Sequence, residues 1–385
     1  MGKYLLLFCI MFVSVSCSEN RGSVKDRGDL LKDSLFMLVG GYADSLEEGV
    51  KLYTFNQTTG DAQYVSGMKG ISNPSYLDFS SDCKRVFAVG ENEVDNSTAN
   101  VLSLDWTTGE MKLQSSMKTH GAAPCYIALS PEEDFVITAN YNGGNISIFR
   151  IGKKGELQEP RIISFVGKGI NVERQEGPHL HFIGFTPDES RMMAVDLGAD
   201  CVHAFPINRQ DHEVSAPFLD EDKSHNFLLP PGCGPRHLCF SADGNYVYII
   251  TELSGEVLVY HYKGDRAELI QRVQADTLHA SGSADIHLSA DERFLYASNR
   301  LKGDGIAIFK VDPEKHTLEK IGYQPTAVHP RNFAISPNGK FLLVACRFSN
   351  EIQVFLRDEE TGLLTDTGKR IETSQPSCVK FLTKP

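Results

Sequence analysis

Beyond about residue 35, no stretch of this 385-residue chain repeats apolar residues at helical spacing over three turns. That excludes helical bundles and sheets crossed by helices. There is no CxxC pair and no Cys/His spacing suited to zinc. Also missing are a Gly-rich phosphate loop, a nucleophile elbow, an HExxH and an EF-hand loop. Positive charge is in deficit: 38 Lys and Arg stand against 50 Asp and Glu, a net charge of −12. This excludes the basic stripe of a nucleic-acid groove. An anionic ligand must therefore be held by local basic residues against the field of the whole molecule. An enzyme made from this sequence works with His, Arg and Glu around water and is expected to need no bound cofactor.

Long apolar runs are scarce too, and the one present lies at the amino terminus. Lys3 is followed by YLLLFCIMFVSV, then Ser16-Cys17, then the polar SENRGSVKDRGD. The run is too short for a permanent membrane helix and matches the apolar core of an export signal. The small residues before Cys17 resemble a bacterial lipobox, although Ser14 stands where Leu is commonest. On that reading residues 1–17 are the signal, Cys17 is lipidated and residues 18–34 form a tether. The protein is then an exported lipoprotein facing the periplasm or the cell surface, touching the membrane only through its anchor. The alternative is an ordinary cleaved signal. Of nine cysteines, Cys125, Cys239, Cys346 and Cys378 fall inside apolar strands, where a thiol behaves as a small hydrophobe.

What the chain does have is repetition. A turn proline, an apolar strand, a Ser/Thr with an acidic turn and a second apolar strand return seven times, as in Pro124-CYIALSPEEDFVITA, Pro235-RHLCFSADGNYVYII and Pro330-RNFAISPNGKFLLVA. The anchors are Ser80, Ser130, Thr186, Ser241, Ser289, Ser336 and the equivalent Leu382, 46 to 56 residues apart. Repeats of that length built from short strands and Gly/Pro/Asp turns predict an all-β, seven-bladed β-propeller over residues 35–385, with four-stranded antiparallel blades. The first copy, from Leu35, lacks a preceding proline-initiated strand, and the closing copy, Pro376 to Leu382, lacks its following strands. Together they make one shared blade that closes the ring and leaves no open edge.

Structure lies in what the copies share, and chemistry where they differ. Five residues before the anchor stand Ser75, Cys125, His181, Arg236, Ala284, Arg331 and Ser377. One residue on are Tyr76, Tyr126, Phe182, His237, Asp285, Asn332 and Cys378. The second strand ends in pairs such as Thr251-Glu252, Asn299-Arg300 and Cys346-Arg347. Antiparallel pairing puts strand starts beside strand ends, so these sets meet at one mouth of the central channel, the usual ligand site of a propeller. Arg and Glu there can be structural ion pairs, but several at equivalent blade positions favour a site. His179 and His181 form an HxH that invites a metal; a third ligand is not evident, and no metal is assigned.

At these residues the chain resembles a known family. GPHLHFIGFTPD, DLGAD, GCGPRHLCFSADGNYVYIITEL, SADIHLSADERFLYASNR and HPRNFAISPNGKFLLVA are similar to the seven-bladed lactonases of the bacterial 6-phosphogluconolactonase type, which also include fungal muconate-lactonizing enzymes. The resemblance runs from about residue 36 to the end. It implies catalytic residues at His179 or His181, Arg236, Glu252 and Arg300, with Thr251 a small departure from the family's usual Asn. The expected function is hydrolysis of a sugar-derived lactone, 6-phosphogluconolactone or a related lactone of the exported compartment. A His or Glu would activate water, arginines would stabilise the oxyanion and hold an anionic substituent, and Arg331, His237, Asp285 and Asn299 would help bind substrate. Arg236→Ala is expected to lose activity with little loss of folding. The alternatives are a non-catalytic binding propeller, which would not need the charged cluster, and a cycloisomerase of the muconate type using the same arginines. The only partner expected is the small lactone, and the oligomeric state stays open.

Overall fold

The computed structural model describes residues 34–209 and 217–382; the apolar segment, Cys17 and the tether before Ser34 lie outside the described residues. Seven four-stranded sheets make up the fold, each running inner strand, second, third and outer strand in hydrogen-bonded order. Blades are numbered here by their inner strands: Leu77–Phe79 (blade 1), Pro124–Leu129 (blade 2), Leu180–Phe185 (blade 3), Pro235–Phe240 (blade 4), Ser283–Leu288 (blade 5), Pro330–Ile335 (blade 6) and Pro376–Leu382 (blade 7). Blade 7 takes its inner strand from the carboxyl-terminal end and its other three from Ser34–Gly41, Val50–Asn56 and Ala62–Met68. Phe36 pairs with Leu382 across that join, so the ring closes by backbone hydrogen bonds, as the truncated copies predict. Among the described residues the only helical segments are two three-residue 3-10 turns, Val94–Asn96 and Arg347–Ser349.

The repeat's Ser/Thr has a physical reason. Its hydroxyl accepts the backbone N–H five residues later in six blades, at 3.0 Å for Arg85, Phe135, Tyr246, Phe294 and Phe341 and 3.1 Å for Arg191. In four of them it also donates to the Asp two residues on, at 2.6 Å from Ser80, Thr186, Ser241 and Ser289. These bonds tie off the hairpin between first and second strands at the lower face. Between the blades the filling is aliphatic and aromatic, as where Phe55 of blade 7 meets Phe341 of blade 6 edge-on at 5.7 Å. Cys125, Cys201, Cys233, Cys346 and Cys378 are buried thiols, which bears out the reading of the strand cysteines; Cys239 is partly buried.

One feature of the inner strands decides what faces the channel. In blades 2 to 6 the pairing with the second strand slips just after the strand begins: Pro124 pairs with Asn140 but Tyr126 with Ala139, and Pro235 with Thr251 but His237 with Ile250. The same shift occurs at Leu180/Phe182, Ser283/Ile286 and Pro330/Asn332. Blade 7 slips likewise, Gly41 pairing with Pro376 and Gly40 with Cys378. The residue left unpaired is Cys125, His181, Arg236, Arg331 or Ser377, with Ala284 and Asp285 both unpaired in blade 5. A β-bulge re-aims side chains and bends the strand. Strict alternation is broken there, and two successive residues of the inner strands of blades 2 to 7 turn toward the axis.

Candidate active site at the channel mouth

The bulges build two stacked rings across the channel. The upper ring holds the divergent positions, with His181, Arg236 and Arg331 as its basic members. The lower ring is a septum. Tyr76 stacks on Tyr126 at 4.0 Å, Tyr126 lies 4.7 Å from Phe182, and His237 meets Tyr126 and Phe182 at 5.4 Å. His237, Asp285 and Asn332 complete it as a polar sector: His237 Nδ1 lies 2.8 Å from Asp285 Oδ1, and Asn332 Nδ2 donates to Asp285 Oδ2 at 2.5 Å. All these side chains are buried, so the septum separates the upper mouth from the lower.

Above the septum Glu252 is the hub. It follows the second strand of blade 4, Tyr246–Thr251, and its backbone N–H donates to Gly234 O at 2.7 Å. That ties the strand end to the turn before Arg236. The turn is set by Asp200, whose carboxylate accepts the N–H groups of Gly232 at 2.6 Å and Gly234 at 2.7 Å. Gly234 has φ +59, and a Cβ there would sit 2.4 Å from Leu253 Cγ, so only glycine fits. From this platform Glu252 Oε2 meets Arg236 Nε at 3.0 Å and Arg300 Nη2 at 3.1 Å, while Oε1 meets Arg174 Nη2 at 2.6 Å. The Arg236 contact is an ion pair without a well-aimed hydrogen bond, since its Nε–H finds no acceptor. Burial alone would raise the Glu252 carboxyl, but Arg300, Arg236 and Arg174 outweigh it and hold it down at about 2.

The two buried arginines are also braced by carbonyl oxygens. Arg236 Nη1 donates to Ala284 O at 2.6 Å, and Arg300 Nε to Gly282 O at 2.7 Å. Arg236 Nη2 and Arg300 Nη1 have no hydrogen-bond partner among the described residues, yet neither is sealed from solvent. They are the donors left for a ligand.

A second cationic group lies beside the first. Arg347 stacks over the Tyr42 ring at 3.5 Å, and Arg331 lies 5.6 Å from the same ring. Tyr42 donates its hydroxyl to Glu91 at 2.7 Å, and Ser75 donates to the same Glu91 oxygen. Arg347 shares Gln375 Oε1. Arg331 has no ion pair within 4.0 Å and no side-chain hydrogen bond among the described residues, and it is only partly buried. Five arginines therefore surround two carboxylates, and this one mouth is positive in a molecule of net charge −12.

Two histidines here are kept neutral. Burial, then Arg236, His237 and Arg331, holds His181 well below the ordinary imidazole value. Its Nδ1 is sealed without a partner, which leaves Nε2 as the accessible nitrogen. His329 is similar: burial and then Arg300, Arg331 and Arg347 bring it down to about 3. His179 instead stacks on Tyr141 at 4.5 Å, with Nδ1 3.0 Å from Tyr141 O and Nε2 3.3 Å from the exposed Glu176. The bulge separates the two members of the HxH, and among the described residues no three His, Cys, Asp or Glu side chains converge as metal ligands.

Of the residues expected from sequence, the fold brings His181, Arg236, Glu252, Arg300 and Arg331 together at the mouth and sets His179 at its rim. His237 and Asp285 sit one ring lower, buried in the septum. Asn299 points into its own blade, accepting Ser283 Oγ at 2.5 Å and donating to Ala275 O at 3.2 Å. The sequence reading missed Arg174, Tyr42 and His329. Arg174 comes from the connection between Arg161–Ser164 and Leu180–Phe185, where no repeat equivalent exists to compare. His329 directly precedes the turn proline of blade 6, outside the divergent positions of the inner strand. A spacious surface concavity beside Phe36, Tyr64 and Trp106 lies between blade 7 and the turn that follows the third strand of blade 1, and gathers none of these groups.

Fold and site together define a β-propeller with a cationic, carboxylate-centred mouth. The chain belongs to the family of 7-bladed beta-propeller lactonases, whose model matches residues 36–381. It is 33% identical over 354 residues to the 6-phosphogluconolactonase of Formosa agariphila, covering 90% of this chain and 99% of that one. Among solved structures it is similar to a putative 6-phosphogluconolactonase from Bacteroides fragilis, with 45% identity and TM-score 0.87 over 91% of this chain and 99% of that one. It is also similar to the periplasmic gluconolactonase of Pseudomonas aeruginosa, with 31% identity and TM-score 0.84 over 91% and 100%.

Proposed function

We propose that the chain hydrolyses a sugar-derived lactone bearing an anionic substituent. The observation that carries this reading is the unpaired Arg331 beside a buried Arg236–Glu252–Arg300 cluster whose outer amino groups are unsatisfied. Arg331, with Arg347, receives the phosphate or carboxylate of the substrate as charge-assisted hydrogen bonds. Arg236 Nη2 and Arg300 Nη1 receive the lactone carbonyl oxygen and the charge it gains on becoming tetrahedral. Glu252 orients those arginines; three guanidinium partners make it too weak a base to activate water.

The base is then His181. Water attacks the lactone carbonyl carbon and its proton passes to the imidazole. The bond from that carbon to the ring oxygen breaks, and the proton returns to the ring oxygen, leaving a hydroxy acid that ionises. His181 is a weak base in the empty site, held down first by burial and then by the arginines. An anion on Arg331 offsets part of the field that depresses it, so the substrate helps to activate its own base.

An exported lipoprotein remains the localisation we favour, supported by the apolar leader, Cys17 and the periplasmic relative. The first strand begins at Ser34 beside the lower-face end of the ring, since Phe36 pairs with Leu382 and Gly41 with Pro376.

The test is ring opening of 6-phosphoglucono-δ-lactone, unphosphorylated gluconolactone and a carboxylated lactone, measured above the spontaneous rate, with and without chelator. Turnover that disappears in Arg236→Ala supports the reading. No turnover on any lactone would favour a binding propeller instead.

A further inference from the structure

The septum does more than close the channel, because its polar sector reaches up to Arg236. Arg236 Nη1 lies 3.3 Å from His237 Nε2. The other ring nitrogen, Nδ1, faces Asp285 Oδ1 at 2.8 Å. Asp285 is held ionised: burial opposes this, but His287 and His237 outweigh it. A carboxylate only accepts, so Nδ1 must carry the imidazole proton and Nε2 is a bare lone pair. That lone pair is what an Arg236 N–H needs. Asp285 itself cannot turn. Ile286 N donates to Oδ1 at 3.1 Å; Oδ2 takes Asn332 Nδ2 at 2.5 Å, His287 Nε2 at 3.0 Å and Phe333 N at 3.3 Å.

We propose that His237 and Asp285 are positioning residues for Arg236. Asp285, fixed by blades 5 and 6, sets the tautomer of His237 in blade 4, and His237 Nε2 fixes the roll of the Arg236 guanidinium. With Nη1 held by His237 Nε2 and Ala284 O, and Nε facing Glu252, the unsatisfied Nη2 is turned to the mouth. Neither His237 nor Asp285 touches the substrate. The inference rests on the lactonase reading for its kinetic consequence, but not for its geometric one.

Two substitutions at one position separate positioning from mere packing. In His237→Asn the amide N–H replaces Nδ1–H and keeps Asp285 partnered, but nothing reaches Arg236. In His237→Gln the amide oxygen extends to the place of Nε2 and can accept from Arg236, while Asp285 loses its donor. If His237 only supports the fold, the Asn variant is both the more stable and the more active. If it positions Arg236, the order divides: Asn is the more stable, but its kcat falls on the order of a hundredfold, as a misplaced catalytic group does, with KM for an anionic lactone nearly unchanged. Gln recovers part of kcat despite its lower melting temperature. Activity that tracks stability across the pair overturns the proposal. The second readout is independent of turnover. The Arg236 guanidinium N–H resonances of the wild-type protein should be resolved by slow rotation, should collapse in His237→Asn and should persist in His237→Gln. Collapse in neither or in both overturns it as well. Absence of wild-type turnover with the expected NMR pattern would sink the lactonase reading and leave the positioning intact.

Discussion

Arg236 and Glu252 meet at 3.0 Å across two neighbouring strands of one blade, Arg236 in the bulge of the inner strand and Glu252 just past the end of the second. The pairing is local to blade 4, but its energetics are not: the same carboxylate oxygen also serves Arg300 from blade 5. Arg236→Ala should therefore remove both a ligand donor and part of a buried ion cluster. Breaking one partner of such a cluster costs about 3 kcal/mol or more. Loss of turnover should thus come with a lower melting temperature, against the expectation from sequence that folding would be little affected. Calorimetry beside kinetics checks this. Arg236→Lys keeps the charge but lacks the guanidinium fork, so it should recover stability more than activity.

Arg331 should behave differently because it holds no protein partner in an ion pair. Arg331→Gln is expected to leave the melting temperature within a degree or two of wild type. It should raise KM for an anionic lactone by about tenfold or more, the worth of one charge-assisted hydrogen bond. KM for an uncharged lactone should barely move. Equal effects on both substrates would remove Arg331 from the anion role.

The Ser/Thr anchors make a prediction about stability alone. Ser241 accepts the Tyr246 N–H and donates to Asp243, in a turn remote from the mouth. Ser241→Ala should destabilise by about 1–2 kcal/mol with kcat unchanged, as read by urea unfolding and steady-state rates.

These contrasts show where the sequence was readable. The ring, its closure and the anchors were legible because seven copies of one hairpin average out local noise; Ser80, Ser130 and Thr186 occupy the same place for the same hydrogen bond. Arg236, Arg300 and Arg331 were legible because they break that pattern. The division of labour between Arg236 and His237 was not. Neighbours along a strand normally point to opposite faces, and only the bulge between Pro235 and His237 turns both inward, one to the mouth and one to the septum. Arg174 was hidden for another reason: the segment that carries it has no counterpart in the other blades.

Acid should weaken the fold in two stages, and the sign follows from which state binds more protons. His237 is held at about 4 in the folded protein, first by burial and then by Arg236. Its unfolded value is about 6.5. Below 6.5 the unfolded chain takes up a proton that the folded one refuses, so stability declines as pH drops from 6.5 toward 4. Glu252 is held at about 2, below the unfolded value of about 4.3. Its contribution is complete above the unfolded value and is lost as pH falls through the folded one, between about 4.3 and 2. His181 adds to the first stage, since it too is depressed. Stability from urea unfolding should hold nearly level from pH 7.5 to about 6.5 and fall from there to pH 3, with a slope on the order of one kcal/mol per pH unit for each proton taken up. His237→Asn should flatten the upper part of that range only in part, since His181 and His329 are depressed too, and should leave the loss through Glu252 in place. A wild-type midpoint that stays level between pH 6.5 and 4.5 would mean that these histidines are not held neutral, and the assignment of His181 as an unprotonated base at neutral pH would fall with it.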